Sequence, residues 1–477
     1  MRVDGIADEG SMNSNRCARA PAAQRLRAGT HVCACECAPA RPWGALLLGI
    51  LLGAMLAAAP RSARADLQVL ITKGVTNPIP IAIVPFGQGQ GAAGAGGFDV
   101  ASVVQHDLDG SGRFQLLPRA QMHTLPTLAA QVQAADWRAS GSDYVLVGRV
   151  SSPAQGVYDV DCDLVNTTTG QLVGSQRFVA GPASLRNAAH RVSDFVYQHI
   201  LGVRGAFATR IAYVSVSGEA PIQHYQLVVA DADGYNPRVI LESGEPIMSP
   251  AWSADGQWIA YVSFESRLPA VYVQQLTSGV RRLVSARAGV NNAPAFSPDG
   301  RKLALTLSGS GGNLDIWLLD LATQQLTRLT DDPAADTEAA WSPDGSSIYF
   351  TSDRAGGPQI YRLSVANPSR IQRITFDSSY DARPAVSPDG KRLAFITLEG
   401  HDYRIAVQDL ASGTVTVLSH GHLDQSPSFA PNGATIIYAG RDGDTDTLQT
   451  VSVDGLVTQR LTGQGEVREP VWGPFTQ

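Results

Sequence analysis

The chain has 477 residues, of which 37 are basic and 43 are acidic, so its formal net charge is −6 at pH 7. This balance argues against nucleic acid as the main partner, because proteins that bind nucleic acid present clustered basic surfaces. A chain of this length should hold two or more domains, since single hydrophobic cores rarely grow beyond about 250 to 300 residues.

An apolar run near the N-terminus predicts export. Residues Trp43–Ala59 carry no charge and are followed by Ala63-Arg64-Ala65, a small-x-small pattern typical of signal peptidase sites. We predict that residues 1–65 are a signal peptide with an over-long n-region, and that the mature chain begins at Asp66. A retained signal anchor is the alternative, because the run of 17 residues approaches the lower limit for a spanning helix.

The cysteines agree with this division of the chain. Cys17, Cys33, Cys35 and Cys37 precede the apolar run, so the mature chain keeps only Cys162 and can form no intramolecular disulfide. The long n-region suggests that translation starts later than Met1. Removing residues 1–65 takes away 8 basic and 4 acidic residues and leaves a net charge of about −10.

Residues 66–203 predict a small α/β domain, followed by a linker at 204–209 and a propeller at 210–477. The strand candidates are LQVLIT, IPIAIVPF, FQLL, YVLVGRV, YDVDCDLV and QLVGSQRFV. Two helices are predicted, one in FDVASVVQHDLDG and one from about Leu185 to Leu201 with an apolar stripe at helical spacing.

A repeated pentapeptide organises the rest of the chain. WSADG, FSPDG, WSPDG, VSPDG and FAPNG end at glycines that are 44, 45, 45 and 43 residues apart. A period of 40 to 45 residues with short strands is typical of β-propeller blades. Pro, Asp or Asn, and Gly are the residues of a hairpin turn, so the motif predicts a structural turn rather than a site. The apolar runs after each turn predict strands buried on both faces.

The two ends of the repeat region predict the number of blades. The strand before the turn occurs six times, the last in REPVWGPF, and the strand after it also occurs six times, the first in RIAYVSV. The unpaired strands can pair only if Glu469–Trp472 closes the ring against Arg210–Val216. We therefore predict a six-bladed β-propeller whose C-terminal strand completes the first blade.

Several motifs resemble sites but have a simpler reading. Gly89–Gly94 matches GxGxxG in a glycine-rich loop without the acidic residue that a ribose needs, so we favour a loop. The Asp107 and Asp442 segments lack the closing Glu of an EF-hand. Asp159, Asp161 and Asp163 predict a solvated strand face opposite Cys162. The remaining candidate, His420 and His422 with Asp424, lacks further metal ligands nearby.

No GxSxG motif occurs, which argues against a propeller-gated serine peptidase. We therefore expect no catalytic residue, cofactor or metal.

Longer segments carry a family resemblance. ITKGVTNPIPIAIVPF, YVLVGRV, GAFATRIAYV, DADGYNPRVI, MSPAWSADG and NNAPAFSPDG together resemble the TolB family of the periplasmic Tol-Pal system, over essentially all of residues 66–477. The resemblance implies a monomeric, non-enzymatic periplasmic protein. Its implied partners are the lipoprotein Pal, which would hold it peripherally at the outer membrane, and TolA. Its implied roles are outer-membrane integrity and constriction at cell division; other outer-membrane proteins and bacteriocins are further possible partners.

The repeat register places the expected Pal-binding surface. The reference position in each repeat is the first residue of the pentapeptide, and Trp472 takes this position in the last repeat. The residues four and three positions before it should lie at the same end of the inner strand in every blade. We call these residues the channel mouth. They are Met248 and Ser249, Asn292 and Ala293, Thr337 and Glu338, Ala382 and Arg383, Gln425 and Ser426, and Arg468 and Glu469.

The expected TolA-binding segment is the arm at the start of the mature chain. It comprises Asp66, Leu67, Gln68, Val69, Leu70, Ile71 and Thr72. An extended apolar arm suits strand addition to a partner sheet. Coupling between the arm and the channel mouth is a hypothesis. The alternative function is a periplasmic propeller enzyme or small-ligand binder, which would need reactive groups clustered in the channel.

Overall fold

The computed structural model describes residues 77–91, 98–219, 221–309, 311–443, 445–461 and 466–475. An α/β domain precedes a six-bladed β-propeller, which confirms the predicted fold class. The predicted signal peptide, the arm Asp66–Thr72 and the strand candidate LQVLIT lie outside the described residues. Within the described part of the chain, every helix is too short or too polar to cross a membrane.

The α/β domain is one mixed sheet in the order β3-β1-β4-β5-β6, with β2 added beside β4. β1 pairs in parallel with β3 and β4, and the later pairs are antiparallel. The strands are β1 (Ile79–Ile83), β2 (Gly87–Gln88), β3 (Phe114–Leu116), β4 (Tyr144–Ala154), β5 (Val157–Asn166) and β6 (Leu172–Ala180).

Helices cover both faces of this sheet. α1 (Val100–Gly110) and α3 (Leu185–Leu201) pack on one face and share its main core. The short α2 (Ala134–Ala139) places Trp137 in a second core on the other face, against β1 and β4. The helices α1 and α3 were predicted; α2 was not, because six residues are too few to show a helical period. The described part of the domain also has three single-turn 3₁₀ helices, at Arg119–Gln121, Ala129–Gln131 and Pro182–Ser184.

The propeller consists of six four-stranded antiparallel blades. Blade 2 is β10 (Ile247–Trp252), β11 (Trp258–Ser263), β12 (Ala270–Gln275) and β13 (Arg281–Ser285). Blade 3 is β14 (Asn291–Phe296), β15 (Lys302–Ser308), β16 (Leu314–Asp320) and β17 (Leu326–Arg328). Blade 4 is β18 (Asp336–Trp341), β19 (Ser347–Ser352), β20 (Gln359–Ser364) and β21 (Ile371–Arg373).

Blades 5 and 6 repeat this pattern. Blade 5 is β22 (Asp381–Val386), β23 (Arg392–Glu399), β24 (Asp402–Asp409) and β25 (Val415–Val417). Blade 6 is β26 (Gln425–Phe429), β27 (Thr435–Asp442), β28 (Thr445–Ser452) and β29 (Thr458–Leu461). The second strand of each blade is buried on both faces, as predicted; β11, for example, has five buried residues in succession.

Blade 1 joins the two ends of the repeat region. It is β30 (Glu466–Trp472), β7 (Arg210–Ser217), β8 (His224–Asp231) and β9 (Arg238–Ser243), in that order across the sheet. Trp472 pairs with Ile211 and Glu466 with Val216, so the C-terminal strand closes the ring as predicted. Closure in this way leaves the blade-forming sheets without an open seam.

The repeated pentapeptide is a turn, as its chemistry predicts. In blade 4 the Ser342 hydroxyl donates to Asp344 Oδ1 at 2.5 Å and accepts from the Ser347 amide at 2.9 Å, while Gly345 has φ of +70°. Hydrogen bonds from Ser342 and from the Ser346 amide lower the pKa of Asp344 to about 2. The motif therefore forms the turn between the first two strands of blades 2 to 6.

Candidate functional site at the channel mouth

Each inner strand carries a β-bulge at the same position. The pairing register shifts there in β10, β14, β18, β22, β26 and β30. One non-glycine residue per bulge adopts a left-handed conformation, with φ between 46° and 57°. We call these residues the inner ring: Ser249, Ala293, Glu338, Arg383, Ser426 and Glu469.

The inner ring lines one end of the central channel. Together with the residues that follow them, its members surround a cavity of about 600 Å³ that is open to solvent. They are the second members of the predicted channel-mouth pairs, and the structure brings all of them together. The first members do not line this cavity; of these, Gln425 and Arg468 line a separate cavity beside it with Arg441 and Asp446.

The repeated left-handed conformation is energetically unfavourable. It costs roughly 1–2 kcal/mol for each residue that has a Cβ. Proline follows the inner-ring residue in five of the blades, and Ala339 takes that place in blade 4. Because strained backbone of this kind is concentrated at binding and catalytic sites, the ring is the strongest candidate site in the described part of the propeller.

Arg383 connects four blades across the ring. Its Nε donates to Glu338 Oε1 and its Nη2 to Glu469 Oε1, both at 3.0 Å, and its Nη1 donates to the Ser426 hydroxyl. Burial opposes the charge of this guanidinium, but the carboxylates of Glu469 and Glu338 outweigh it and raise the Arg383 pKa. The charged groups of the ring are therefore paired with one another.

Glu338 is consequently not a free acidic group at the mouth. Besides the guanidinium, it accepts hydrogen bonds from the Arg383 amide at 3.1 Å and from the Thr351 hydroxyl at 2.9 Å. Glu469 likewise accepts from the Ser249 amide. A substitution of Glu338 would disturb the packing of the channel as well as its surface, which makes it a poor probe of partner binding.

Buried polar residues at the start of the inner strands were missed by the sequence analysis. Asn291 and Asp336 are fully buried, and Asp381 is nearly so. Arg354 Nη2 donates to both carboxylate oxygens of Asp336 at 2.8 Å, and the Thr397 hydroxyl donates to Asp381 at 2.7 Å. The sequence feature that could have revealed them is a polar residue directly before the channel-mouth pair in several repeats.

The aspartates of β5 form a solvated face, as interpreted from the sequence. Asp161 accepts from Arg177 Nε at 2.6 Å and Asp163 accepts from the Ser175 hydroxyl at 2.5 Å. Cys162 points to the other side, where burial and the neighbouring Asp163 raise its thiol pKa to about 12. A thiol with this pKa is a poor nucleophile and a poor metal ligand.

Close packing explains the described glycines of the GxGxxG match. A Cβ on Gly89 would lie 2.8 Å from Ser151 Cβ, and one on Gly91 would lie 2.5 Å from the Ser152 carbonyl oxygen. The remaining residues of the motif lie outside the described part of the chain. The histidine pair also has ordinary partners: His422 Nδ1 bonds Asp402 at 2.8 Å, and Asp424 accepts from the Gly421 amide at 3.0 Å.

One cluster in the described chain brings three potential metal ligands together, at Asp107, His190 and Asp233. The two ring nitrogens of His190 face different carboxylates, with Nδ1 2.8 Å from Asp107 and Nε2 3.7 Å from Asp233. Arg186 also pairs with Asp233. Because a guanidinium already neutralises this carboxylate and the ring lies between the two acids, we interpret the cluster as an ion-pair junction.

Comparisons with known proteins agree with this architecture. A sequence profile for the TolB beta propeller domain matches residues 197–476, and one for the TolB amino-terminal domain matches residues 67–173. The Tol-Pal system protein TolB of Methylococcus capsulatus is 51% identical over 411 residues, which are 86% of this chain and 95% of the relative. That of Xanthomonas euvesicatoria is 46% identical over 439 residues, or 91% of this chain and 98% of the relative.

A solved structure gives the same result. The crystal structure of TolB from Acinetobacter baumannii superimposes with a TM-score of 0.79 at 40% identity, covering 86% of this chain and all of that one. None of these names describes an enzymatic activity. Matches to both domains, together with relatives similar over nearly their whole length, show that the chain belongs to the TolB family of Tol-Pal system proteins.

Proposed function

We propose that the chain acts in the periplasm as a non-enzymatic interaction protein of the Tol-Pal system. In this proposal the channel mouth binds Pal, and the arm Asp66–Thr72 binds TolA. Binding would hold the monomer peripherally at the outer membrane and support membrane integrity and constriction. The observation that carries the proposal is the strained inner ring around a cavity open to solvent.

The position of the ring favours a partner protein. In blades 2 to 6 the inner strand begins at the ring and ends at the SPDG-type turn, so these turns lie at the opposite end of the blades. The β8–β9 and β28–β29 turns lie at that opposite end too, because strand direction alternates within a blade. They contact the α/β domain through Asp233 and Asp454. The channel mouth therefore faces away from the α/β domain.

The internal pairing of the ring indicates how a partner would be recognised. Since Glu338, Arg383 and Glu469 already satisfy one another, a partner gains little from new ion pairs with them. Contact should instead depend on the shape of the cavity and on the residues at its edge. Thr337, directly before Glu338, is half-buried, and Arg468, directly before Glu469, is exposed.

The proposed site can be tested by titration calorimetry of the whole chain with the soluble domain of Pal from the same organism. Thr337→Arg adds a long charged side chain at the mouth without removing a residue of the ion network. Thr327→Arg makes the same change on β17, the outer strand of blade 3, where Thr327 is exposed. We expect saturable binding that weakens at least tenfold in Thr337→Arg and is unchanged in Thr327→Arg.

The other outcomes are informative. Equal binding by both variants would move the interface away from the channel mouth. An absence of binding by the parent chain would reject Pal as the partner, and turnover of a small molecule in the channel would favour the alternative of a propeller enzyme.

A further inference from the structure

The α/β domain contacts the propeller through two charged junctions. The first junction lies on blade 1, where Arg186 and His190 of α3 meet Asp233 in the β8–β9 turn. The second lies on blade 6, where Arg113 pairs with Asp454 at 2.6 Å. Blades 1 and 6 are neighbours where β30 closes the ring, so the α/β domain contacts the propeller on both sides of this closure.

His190 is the central residue of the first junction. Its side chain is 1% exposed, and its Nδ1 lies 2.8 Å from Oδ2 of Asp107 on α1. The Ser193 hydroxyl donates to the same oxygen at 2.5 Å, which fixes the carboxylate beside the ring. The other ring nitrogen, Nε2, lies 3.7 Å from Asp233 and has no hydrogen-bond partner among the described residues.

This arrangement suits an imidazolium better than a neutral ring. A neutral ring would place an unbonded nitrogen, buried in the interface, opposite a carboxylate that belongs to the other domain. A protonated ring carries N–H groups toward both carboxylates and interacts favourably with each. The propeller side of this interaction is lost when the domains separate, because Asp233 leaves with the propeller.

The second junction, between Arg113 and Asp454, also joins the two domains by an ion pair, which contains no histidine. A Cβ on Gly112 would lie 2.3 Å from Val457 Cγ2, and one on Gly110 would lie 2.0 Å from Gln459 Nε2, so the loop after α1 lies directly on blade 6. Arginine stays protonated over the whole accessible pH range. This junction should therefore hold the domain equally well at pH 6 and at pH 9.

We propose that His190 makes the docking of the α/β domain on the propeller pH-dependent, so that docking is tightest when the ring is protonated and weakens as the proton is lost. This proposal concerns a conformational change between the two domains, and it holds whichever partner binds at the channel mouth.

The direction of the effect follows from proton linkage. Burial opposes the charge of His190, but the carboxylates of Asp107 and Asp233 outweigh it and raise the pKa from 6.5 to about 9. Separation removes Asp233 but leaves Asp107 beside the ring, so the separated domain keeps part of the raised pKa. The docked form is therefore stabilised below the pKa of the separated domain, and this stabilisation is lost as pH rises toward the docked value, with an increase in the opening constant of less than about tenfold per pH unit.

Other charged groups surround the ring on both domains. Arg186 on α3 is permanently charged. On the propeller side, burial opposes ionisation of Asp233, but His190 and Arg186 outweigh it and lower its pKa, so it is ionised throughout. Burial raises the pKa of Asp231 on β8, and it raises that of Asp194, one turn along α3, to about 6. The measurements therefore start at pH 7, about one unit above the Asp194 value.

The test is amide hydrogen exchange of the whole chain between pH 7 and 8.5, corrected for the intrinsic rate at each pH. The Phe207 amide in the linker donates to Asp194 of α3 at 2.9 Å, so exchange in residues 204–209 reports separation of the linker from α3. We expect the opening constant of this segment to rise with pH in the parent chain, by less than about tenfold per pH unit.

Variants separate the proposal from a general loosening of the interface. His190→Gln should remove the pH dependence, and Asp233→Asn should reduce it without altering the core of the α/β domain. Asp454→Asn, the control at the second junction, should raise the opening constant at every pH while keeping the slope. A flat parent profile, or an unchanged slope in Asp233→Asn or in a folded His190→Gln, would overturn the proposal.

Discussion

Several inner strands begin with a buried polar side chain, and its partner differs between blades. Asp336 is held by Arg354, whereas Asp381 is held by the Thr397 hydroxyl. A buried carboxyl group needs hydrogen bonds, and its ionised form also needs a paired charge, as Asp336 has; for Asp381 burial instead raises the pKa. These single residues therefore determine whether the strand that leads into the inner ring is stable.

Replacing Arg354 should be strongly destabilising for this reason. Asp336 is fully buried, and Arg354→Ala would leave its charge unpaired. The expected loss is about 3–5 kcal/mol in the free energy of unfolding, measured by urea denaturation. Arg362→Ala, which removes a hydrogen bond from Arg362 Nη2 to Gln372 at the surface, is the control and should change stability by less than about 1 kcal/mol.

A double variant tests the cause. Arg354→Ala with Asp336→Ala should be more stable than Arg354→Ala alone, since it removes the unpaired charge. If the double variant were the less stable one, the unpaired carboxylate would not be the source of the loss.

Each of the six inner strands contains a β-bulge, which an ordinary edge strand does not need. Each bulge inserts a residue at positive φ and gives the inner ring its geometry. The strain is distributed over residues of unrelated chemistry, among them Ser249, Ala293 and Arg383, which indicates that backbone shape is the shared requirement.

Glycine should relieve this strain where no side-chain contact is lost. Ala293 has φ of +46°, so Ala293→Gly removes the clash of its Cβ at the cost of a more flexible unfolded chain. We expect stability to stay equal or to rise by up to about 1 kcal/mol in thermal unfolding. Ala339→Gly, at a buried position outside the left-handed region, should lose about 1 kcal/mol. Equal losses in both variants would contradict the strain argument.

The C-terminal strand should be essential for cooperative folding. A chain that ends after Leu461 lacks β30, which leaves β7 without its inner neighbour and removes Glu469 from the inner ring. We expect this chain to unfold in a broad transition, with dye binding that reports exposed apolar surface. A chain that ends after Phe475 keeps β30 and should unfold like the parent; identical behaviour of the two truncations would refute the role of the strand.

At the scale of the whole molecule, the α/β domain is docked where the ring closes. Trp472 of β30 donates from Nε1 to the Thr209 hydroxyl at 2.8 Å, and Asn432 donates to the Arg204 carbonyl at 3.1 Å. The linker is therefore bound to blades 1 and 6 along with the two charged junctions. Both domains should unfold together as long as these contacts persist.

Gly112→Ala should uncouple the two domains. The new Cβ would lie 2.3 Å from Val457, and the residue has φ of +62°, so the loop after α1 must move off blade 6. We expect calorimetry to resolve two transitions in place of one. Gly156→Ala is the matched control, because its φ is +75° but its Cβ would meet nothing within 4 Å. It should cost only about 1 kcal/mol and leave a single transition.

Periodic features were predictable from the sequence because they are encoded locally. The turn pentapeptides carry their own conformational chemistry, and their spacing predicts blades whatever the surroundings. The stripe of α3, which includes Ala189 and Val196, likewise predicts a helix from spacing alone. The ring of mouth residues was placed by register, although the sequence did not reveal that its charged members would be paired.

Three features depended on the tertiary structure. The pairing of Arg383 with Glu338 and Glu469 joins residues 45 and 86 positions apart, which no local pattern specifies. The bulge conformation becomes evident only when neighbouring strands are paired, since the residues involved share no side-chain type. The His190 junction joins two domains that the sequence treats separately.

The sequence by itself therefore determined the number of blades, the closing strand, the two long helices and the family, because periodicity and turn chemistry act over a few residues. The tertiary structure alone decided which charges are neutralised inside the channel and which hold the domains together. Such interactions depend on distance through space and on burial, and both arise only when distant segments of the chain are packed against one another.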